Sequence, residues 1–307
     1  MVNHFLTIAD YSSEKLHELL YQAIELKKLY KDGGRDLCAA GKTIAIFFEK
    51  PSCRTRVSFE TLANQLGAAT IYLKPEDVGS LGQREPIKDL MRVMNGMVDM
   101  FVGRVFKHSD LVELAKWATI PVVNALCDKY HPCQGMADIM TAYEHLGDLK
   151  GKKLTYIGDG NNVSASLAWA CFKFGMTFCV ARPDGYDMPA ELYQQLKSQG
   201  ATDENIIVTT DPKASVENAD VIYTDTWVSM GQEEEKAKRI KDFQGYQVNM
   251  DLVKLANDNV KVMHCLPAYR DLEITDEVIE SPYSVIFDEA ENRLHFQRML
   301  VKDLLQR

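Results

Sequence analysis

The 307-residue sequence lacks long apolar runs, and no uninterrupted stretch approaches the ~20 residues that a membrane-spanning helix needs. Its first residues, MVNHFLTIADYSSEKL, have neither the apolar core of a secretion signal nor the Arg- and Ser-rich character of a transit peptide. Repeats of solenoid length and low-complexity linkers are also absent from the sequence. These absences argue against a helical membrane protein or a repeat array, and they predict a cytoplasmic globular protein.

The sequence also lacks the cysteine patterns of metal sites and disulfide scaffolds. It has seven cysteines, an odd number, and no two of them have CxxC spacing. A chain of this length buries a large core and does not need disulfides to fold. We therefore expect reduced thiols. The cysteines are Cys38, Cys53, Cys127, Cys133, Cys171, Cys179 and Cys265.

Basic residues are in the minority, and the formal net charge is −9. This balance argues against nucleic acid or an anionic membrane as the main partner, since both favour a basic surface. An anionic small molecule would need a locally basic site on this acidic protein. Clustered arginines are therefore the first feature to look for.

Short apolar runs alternate with helical stretches, a pattern typical of a mainly parallel sheet covered by helices. The last predicted strand, Val285–Phe287, precedes a helix from about Glu289 to Leu305. In such sheets, ligands bind at the carboxyl ends of strands and at the helix N-termini that follow them. The other strands are predicted at Thr43–Phe48, Thr70–Leu73, Met100–Val102, Pro121–Asn124, Leu154–Ile157, Thr177–Ala181, Ile206–Val208, Val221–Tyr223 and Val260–Met263.

The first strand–helix junction has the donors of an anion site. Ser52, Arg54 and Thr55 stand where a helix is predicted to begin, and Arg56 follows them. Free backbone N–H groups and the helix dipole favour an anion there, and a guanidinium fits phosphate oxygens bidentately. The ordinary alternative is a helix capped by Ser52 with both arginines on the surface, and spacing alone does not decide between the two.

Two further junctions carry polar groups. Arg104 follows the predicted strand Met100–Val102, and His131 and Gln134 stand just before or within a predicted helix start. An imidazole and a carboxamide can donate to or accept from a carbonyl and its amide. The ordinary alternatives are a surface arginine and a histidine that packs at a helix start.

The adjacent His264 and Cys265 raise the question of zinc or of thiol catalysis. No second cluster in the sequence has the ligand spacing of a zinc site, and adjacent side chains on an extended segment point in opposite directions, so they do not easily pair. The turn Gly158–Asn162 favours a nucleotide only weakly, because Val163 stands where G-x-G-x-x-G needs glycine. We expect neither a metal nor an organic cofactor.

These segments together resemble the carbamoyltransferases over nearly the whole chain. Ser52–Arg56 is similar to the family's Ser-Thr-Arg-Thr-Arg phosphate motif, and His131–Gln134 to its His-Pro-x-Gln motif. His264–Pro267 is similar to the His-Cys-Leu-Pro segment of the ornithine enzymes, and Ser229–Gly231 to their Ser-Met-Gly acceptor motif. The resemblance therefore implies transfer of a carbamoyl group from carbamoyl phosphate to L-ornithine, giving L-citrulline within arginine metabolism.

The resemblance also implies a role for individual residues. For carbamoyl phosphate it implies Ser52, Cys53, Arg54, Thr55, Arg104, His131, Gln134, Cys265, Leu266 and Arg293, with Ser80 from a neighbouring subunit. For ornithine it implies Leu126, Asn162, Asp225, Ser229, Met230 and Cys265. Catalytic roles fall to Arg54, Arg104, His131, Cys265 and Arg293. Cys53 stands where the family usually has Thr, and Ser80 stands where it has Gln or His.

The implied fold is two doubly wound parallel-sheet domains, with the C-terminal helix packing back on the first. Residues 1–133 and 288–307 would form the carbamoyl-phosphate domain, and residues 134–287 the ornithine domain. The implied assembly is a homotrimer or a multiple of trimers. Three alternatives remain: a carbamoyltransferase for another amine such as putrescine, a nucleotide-dependent oxidoreductase, and an inactive relative that only binds ligands.

Overall fold

The structure is a computed structural model that describes residues 3–228 and 233–306. The chain forms two compact units, one of Met1–Ala137 with Asn292–Arg307 and the other of Asp138–Glu291. The sequence-based domain limits lie four residues before each of these divisions. No helix among the described residues has both the length and the apolarity to span a membrane.

The first unit contains a four-stranded parallel sheet. Its strands are β1 (Thr43–Phe48), β2 (Ala69–Leu73), β3 (Met100–Arg104) and β4 (Val122–Leu126), and their spatial order is β2-β1-β3-β4. Its helices are α1 (Ser13–Lys31), α2 (Cys53–Leu66), α3 (Pro75–Val78), α4 (Ile87–Met94), α5 (His108–Trp117) and the start of α6 (Pro132–Leu146). The central strand β1 reads TIAIFF and is buried from its second residue onward, as expected for a parallel strand covered on both faces.

The second unit contains a five-stranded parallel sheet. Its strands are β5 (Lys153–Ile157), β6 (Thr177–Ala181), β7 (Ile206–Thr209), β8 (Val221–Thr224) and β9 (Lys261–His264), in the order β7-β6-β5-β8-β9. Its helices are α7 (Asn162–Lys173), α8 (Ala190–Ser198), α9 (Pro212–Val216), α10 (Lys236–Asp242), α11 (Met250–Val253) and α12 (Asp276–Ile279). Its core includes the stacked rings of Trp227 and Phe243.

Strand order determines where a ligand crevice forms in each sheet. In the first unit the chain moves from β1 to β2 on one side, and β3 lies on the other side. In the second unit the corresponding reversal lies between β5 and β8. Loops that leave two such strands diverge and open a crevice at their carboxyl ends. The predicted site segments after β1, β3, β5 and β8 all lie at these two positions.

The C-terminal helix confirms one prediction and corrects another. Helix α13 (Ile286–Leu305) ends in the first unit, because Asn292–Arg307 pack there. The predicted strand Val285–Phe287 is wrong: a single bridge joins Val262 to Ser284, and the helix begins two residues later. A short apolar run has the same composition in a buried strand and in the first turn of a buried helix, so periodicity could not separate them.

Candidate active site

One set of candidate site residues lies in the first unit, at the carboxyl ends of β1 and β3. Ser52 caps α2: its Oγ accepts a weak bond of 3.4 Å from the Thr55 backbone N–H and donates to Thr55 Oγ1 at 3.0 Å. The capping interpretation of Ser52 is therefore correct, and it is compatible with anion binding because the cap uses the Thr55 N–H and not those of Cys53 and Arg54. Arg54 is exposed and has no acidic partner among residues 3–228 and 233–306. Arg56 instead pairs with Glu60 at 2.8 Å.

A buried guanidinium contacts members of this set that are far apart in the sequence. Arg293, on α13, donates from Nη1 to Gln134 Oε1 at 2.6 Å and from Nη2 to Thr55 Oγ1 at 3.3 Å. Its Nη1 also lies 3.5 Å from Nε2 of His131. Arg293, His131 and Gln134 are each at most 5% exposed. We name the set Ser52, Thr55, Arg104, His131, Gln134 and Arg293 the anion half-site.

The charge of the anion half-site comes from its arginines. Arg104 is the last residue of β3 and is 4% exposed. Burial, together with the positive charges of Arg293 and Arg104, holds the pKa of His131 well below its usual value. His131 is therefore a neutral imidazole at physiological pH, which can donate from one ring nitrogen and accept at the other.

Sequence reasoning missed two neighbours of the anion half-site. Glu49 and Lys50 follow β1 directly, and the Lys50 ammonium lies 4.7 Å from the centroid of the Phe106 ring. Burial, followed by the charge of Arg104, lowers the pKa of Lys50. The available signal was their position, since an acid and a base directly after a buried parallel strand lie at the edge where ligands bind.

Three predicted residues of the first unit lie outside this cluster of contacts. Cys53 is exposed at the first position of α2. Leu126 ends β4 and pairs in register with Arg104, so its place is at the sheet edge of the first unit. Ser80 lies in the loop before α4 and is partly buried. Its contribution to a neighbouring subunit stays a prediction.

Another set of candidate site residues lies in the second unit, at the carboxyl ends of β5, β8 and β9. Asp225, 7% exposed, accepts from Asn161 Nδ2 at 2.8 Å, from the Thr226 backbone N–H at 2.7 Å and from Cys265 Sγ at 3.1 Å. We name Asn161, Asn162, Asp225 and Cys265 the acidic half-site. Ser229 and Met230, both predicted here, lie outside the described residues.

Two adjacent asparagines in the segment after β5 have different positions and contacts. Asn161 caps α7 by accepting from the N–H groups of Val163 and Ser164, so its side chain has a structural role as well as the contact with Asp225. Asn162, the predicted ligand residue, is the first residue of the helix and is half-buried. Gly160 has a packing role here, because a Cβ at this position would lie 2.2 Å from the backbone nitrogen of Met188. This packing gives no support to a nucleotide-binding turn.

The Cys265 thiol is a hydrogen-bond donor here and not an activated nucleophile. Burial, followed by the charge of Asp225, raises its pKa well above the usual value. Its neighbour Leu266 adopts a positive φ of 54°, and the Leu266 N–H donates to Nδ1 of His264 at 2.9 Å. The other ring nitrogen of His264 lies 3.1 Å from Glu273 Oε1.

These contacts also bear on metal binding. Asp225, His264 and Cys265 each offer one ligand atom, and the three atoms lie within 4.8 Å of one another. Since Nδ1 of His264 accepts a backbone bond and Nε2 faces Glu273, a metal would have to break one of these interactions. The trio therefore fits a hydrogen-bond network better than a metal centre.

Comparison with known proteins gives matches over the whole of both units. Residues 3–144 match the model described as the aspartate/ornithine carbamoyltransferase carbamoyl-P binding domain, and residues 150–303 match the Asp/Orn binding domain of the same family. Ornithine carbamoyltransferase from Halalkalibacterium halodurans is 47% identical over 304 residues, which cover 98% of this chain and 94% of that one. The relative from Methanosarcina mazei is 45% identical, with 100% of both chains covered.

Solved structures agree with these sequence matches. Ornithine carbamoyltransferase from Pyrococcus furiosus superposes with a TM-score of 0.92 and 44% identity, covering 97% of this chain and 96% of that chain. The anabolic ornithine carbamoyltransferase from Campylobacter jejuni gives a TM-score of 0.91 and 36% identity, with 100% of both chains covered.

Proposed function

Because this chain belongs to the aspartate/ornithine carbamoyltransferase family, we propose that it transfers the carbamoyl group of carbamoyl phosphate to the δ-amine of L-ornithine. The products are L-citrulline and phosphate. The observation that carries this proposal is the anion half-site, in which Arg293 contacts Thr55, His131 and Gln134 at a helix N-terminus. This cluster offers positive charge for a phosphate and neutral donors for a carbonyl.

In this proposal the phosphate binds the N-terminus of α2, with Ser52, Cys53 and Thr55 contributing N–H or hydroxyl donors. Arg54 and Arg104 supply the guanidinium groups. The exposed position of Arg54 supports this role, since its side chain is available to an incoming anion. Cys53 contributes through its backbone, so replacement of the usual threonine leaves the helix-terminal donors in place.

The carbamoyl group is proposed to lie against His131, Gln134 and Arg293. As the amine attacks, the carbonyl oxygen gains negative charge, and donors aimed at it stabilise the transition state. Arg293 and Arg54 carry fixed positive charge, and the neutral His131 adds an N–H without desolvating another cation. The Cys265–Leu266 segment is proposed to complete the contacts with the carbamoyl group.

Ornithine is proposed to bind at the acidic half-site, with Asp225 facing its α-ammonium and Asn162 its α-carboxylate. Cys265, Leu126, Ser229 and Met230 are proposed to contact the rest of the amino acid. The buried carboxylate of Asp225 supports this orientation, because it offers an acceptor of the right charge. Discrimination against putrescine is proposed to come from Asn162, because putrescine has a second ammonium for Asp225 but no α-carboxylate for Asn162.

The reaction needs a neutral δ-amine, because an ammonium has no lone pair. A free amine of this kind has a pKa of roughly 10, so the rate should rise with pH through the neutral and mildly alkaline range. The nitrogen forms a bond with the carbamoyl carbon, the bond from that carbon to the phosphate oxygen breaks, and the departing phosphate takes the amine proton. No protein base is required, in keeping with the protonated thiol of Cys265.

An acceptor panel tests the proposal. Carbamoyl phosphate is supplied with ornithine, putrescine, aspartate or lysine between neutral and mildly alkaline pH, and the products are separated. Citrulline from ornithine alone, at a rate that rises with pH, supports the assignment. Product from another amine would keep the anion half-site and overturn the acceptor, whereas carbamoyl phosphate binding without any product would indicate an inactive relative.

We also propose that the chain works in the cytoplasm as a homotrimer or a multiple of trimers, with Ser80 reaching a neighbouring subunit. Light scattering on the active fraction should give at least three times the chain mass of 34.7 kDa. An active monomer would contradict this assembly.

A further inference from the structure

A carboxylate lies beside the anion half-site, where charge alone would exclude one. Glu49 directly follows β1 and stands three residues before the cap residue Ser52. Its Oε2 accepts from the Phe106 backbone N–H at 2.7 Å, and its Oε1 accepts from the Leu81 backbone N–H at 3.2 Å. Each oxygen is therefore engaged by a different loop.

Negative charge here works against an anionic substrate. Like charges repel, and they do so more strongly where the site is shielded from bulk water. The cations Arg104 and Lys50 lie close by: Glu49 raises the pKa of Lys50, and Arg104 lowers it. A carboxylate at this position therefore needs a benefit that exceeds its repulsion.

The two backbone amides that donate to Glu49 belong to segments that carry Arg104 and Ser80, two residues with proposed roles in carbamoyl phosphate binding. Phe106 is two residues after Arg104, and the Glu49 backbone N–H donates to the Arg104 carbonyl at 2.8 Å. The main chain and side chain of Glu49 thus hold the segment from Arg104 to Phe106. Leu81 directly follows Ser80, so the second carboxylate oxygen holds the loop that carries Ser80.

We propose that Glu49 is a positioning residue for carbamoyl phosphate binding: its carboxylate fixes the Arg104 segment and the Ser80 loop relative to the N-terminus of α2. The inference rests on the proposed function, because it takes carbamoyl phosphate as the ligand of the anion half-site. A carboxylate suits the task since both of its oxygens accept and neither donates.

Substitution by Gln separates positioning from charge by the sign of its effect. Glu49→Gln removes a negative charge, so charge alone predicts tighter binding of the anion. It also replaces one acceptor with an NH2 group, which cannot accept from either backbone N–H, so positioning predicts weaker binding. Loss of one charge-assisted bond, about 1.5–3 kcal/mol, corresponds to a rise in KM for carbamoyl phosphate of about 10- to 100-fold.

The control is Glu85→Gln, which makes the same charge change at an exposed residue of the loop before α4. We expect Glu49→Gln to raise the KM for carbamoyl phosphate and the Kd for the unreactive analogue phosphonoacetamide. The KM for ornithine at saturating carbamoyl phosphate should match the control. Amide hydrogens of Leu81 and Phe106 should exchange faster than in the control. Glu49→Asp, with two acceptors on a shorter side chain, should recover part of the affinity.

Three results would overturn the inference. The first is a wild type that turns over normally while the KM of Glu49→Gln for carbamoyl phosphate is equal to or below that of Glu85→Gln. That result would keep the proposed function and remove the positioning role of Glu49. The second is an equal fall of kcat/KM for carbamoyl phosphate and for ornithine, which indicates a general structural role. The third is a wild type that neither binds phosphonoacetamide nor turns over, which removes the proposed function and the inference together.

Discussion

The two half-sites differ in how their charge is assembled. Together with Arg54, the anion half-site draws its positive charge from three places far apart in the sequence: after β1, at the end of β3, and within α13, where Arg293 is 238 residues from its partner Thr55. The acidic half-site is built around one buried carboxylate, Asp225, that accepts from neighbours on three adjacent loops. Several cations are available to one anionic ligand in the first case, whereas a single acid is available to a cationic group in the second.

Because of this difference, we expect substitutions in the two half-sites to change the kinetics in different ways. Loss of one guanidinium from the anion half-site weakens transition-state stabilisation while the other cations still attract the substrate. Loss of the Asp225 charge removes the only acid in the acidic half-site as we define it. The following substitutions break or sharpen that comparison, from the largest expected effect to the smallest.

Arg54→Ala should have the largest effect. The exposed side chain has no acidic partner among the described residues, so the fold should be unchanged. Removal of one transition-state donor typically lowers kcat by about 100- to 1000-fold. Steady-state kinetics and circular dichroism check both halves of the prediction, with Arg35→Ala on the exposed surface of the first unit as the control. Near-normal turnover by Arg54→Ala would refute the proposed phosphate contact.

Asp225→Asn should act mainly on ornithine. A lost charge-assisted bond to the α-ammonium costs about 1.5–3 kcal/mol, which is a rise in KM for ornithine of about 10- to 100-fold. The KM for carbamoyl phosphate should stay within about threefold of wild type, since substitutions away from a contact usually change the free energy by about 0.5 kcal/mol or less. Asp251→Asn is the matched control on an exposed helix start. An unchanged KM for ornithine would show that Asp225 does not bind the amino group.

Cys265→Ala should have an intermediate effect. The thiol donates to Asp225 and has a raised pKa, so its removal costs one hydrogen bond and some packing and leaves no missing nucleophile. We expect about a tenfold loss in kcat/KM for ornithine. Intact-mass spectra of the wild type during turnover should contain no carbamoylated enzyme. A trapped thiocarbamate on Cys265 would contradict the assigned role.

His131 predicts a pH effect on stability. Its pKa is lowered in the folded protein, so below the unfolded value of about 6.5 the unfolded chain binds a proton that the folded protein does not. Stability from this group is therefore complete above that pH and falls on acidification by up to about 1.4 kcal/mol per pH unit, down to the folded pKa. Denaturation of wild type and His131→Asn between pH 7 and pH 5 should diverge accordingly, and parallel curves would show that His131 is not buried neutral.

Cys53→Thr should have the smallest effect. The side chain is exposed at the first position of α2, and we expect its contribution to come from the backbone. Restoring the usual threonine should change the KM for carbamoyl phosphate by less than about threefold, within the range of surface substitutions. A gain of tenfold or more would mean that the cysteine weakens the phosphate site.

Local patterns were enough for much of the fold. Apolar runs bounded by polar junctions located β1 to β9 to within a few residues, because a central parallel strand such as TIAIFF must be apolar on both faces. Val285–Phe287 failed, because three apolar residues suit a strand or the first turn of a helix equally well. Tertiary context decided the outcome, with Ile286 buried and Phe287 59% exposed.

The candidate site was less accessible to local reasoning. Spacing alone located Ser52 and Arg54 at a helix start, but it contained nothing that would bring Arg293 to Thr55, and only the family resemblance linked them. Glu49 was passed over because an acid beside an anion site conflicts with a rule based on charge. Its proposed positioning role follows only from the structure, in which the backbone N–H groups of Leu81 and Phe106 donate to its carboxylate. The contact of Asn161 with Asp225 was likewise not predicted, because the next residue, Asn162, has the same side chain and was assigned the binding role.

The most direct test of the central claim is to follow the carbamoyl carbon itself. Carbamoyl phosphate labelled with 13C is mixed with ornithine and the full-length protein, and the reaction is followed by 13C and 31P NMR. The account predicts that the label moves into the ureido carbon of citrulline while one phosphate is released for each citrulline formed. Label that appears only in cyanate or bicarbonate, with ornithine unchanged, would contradict it.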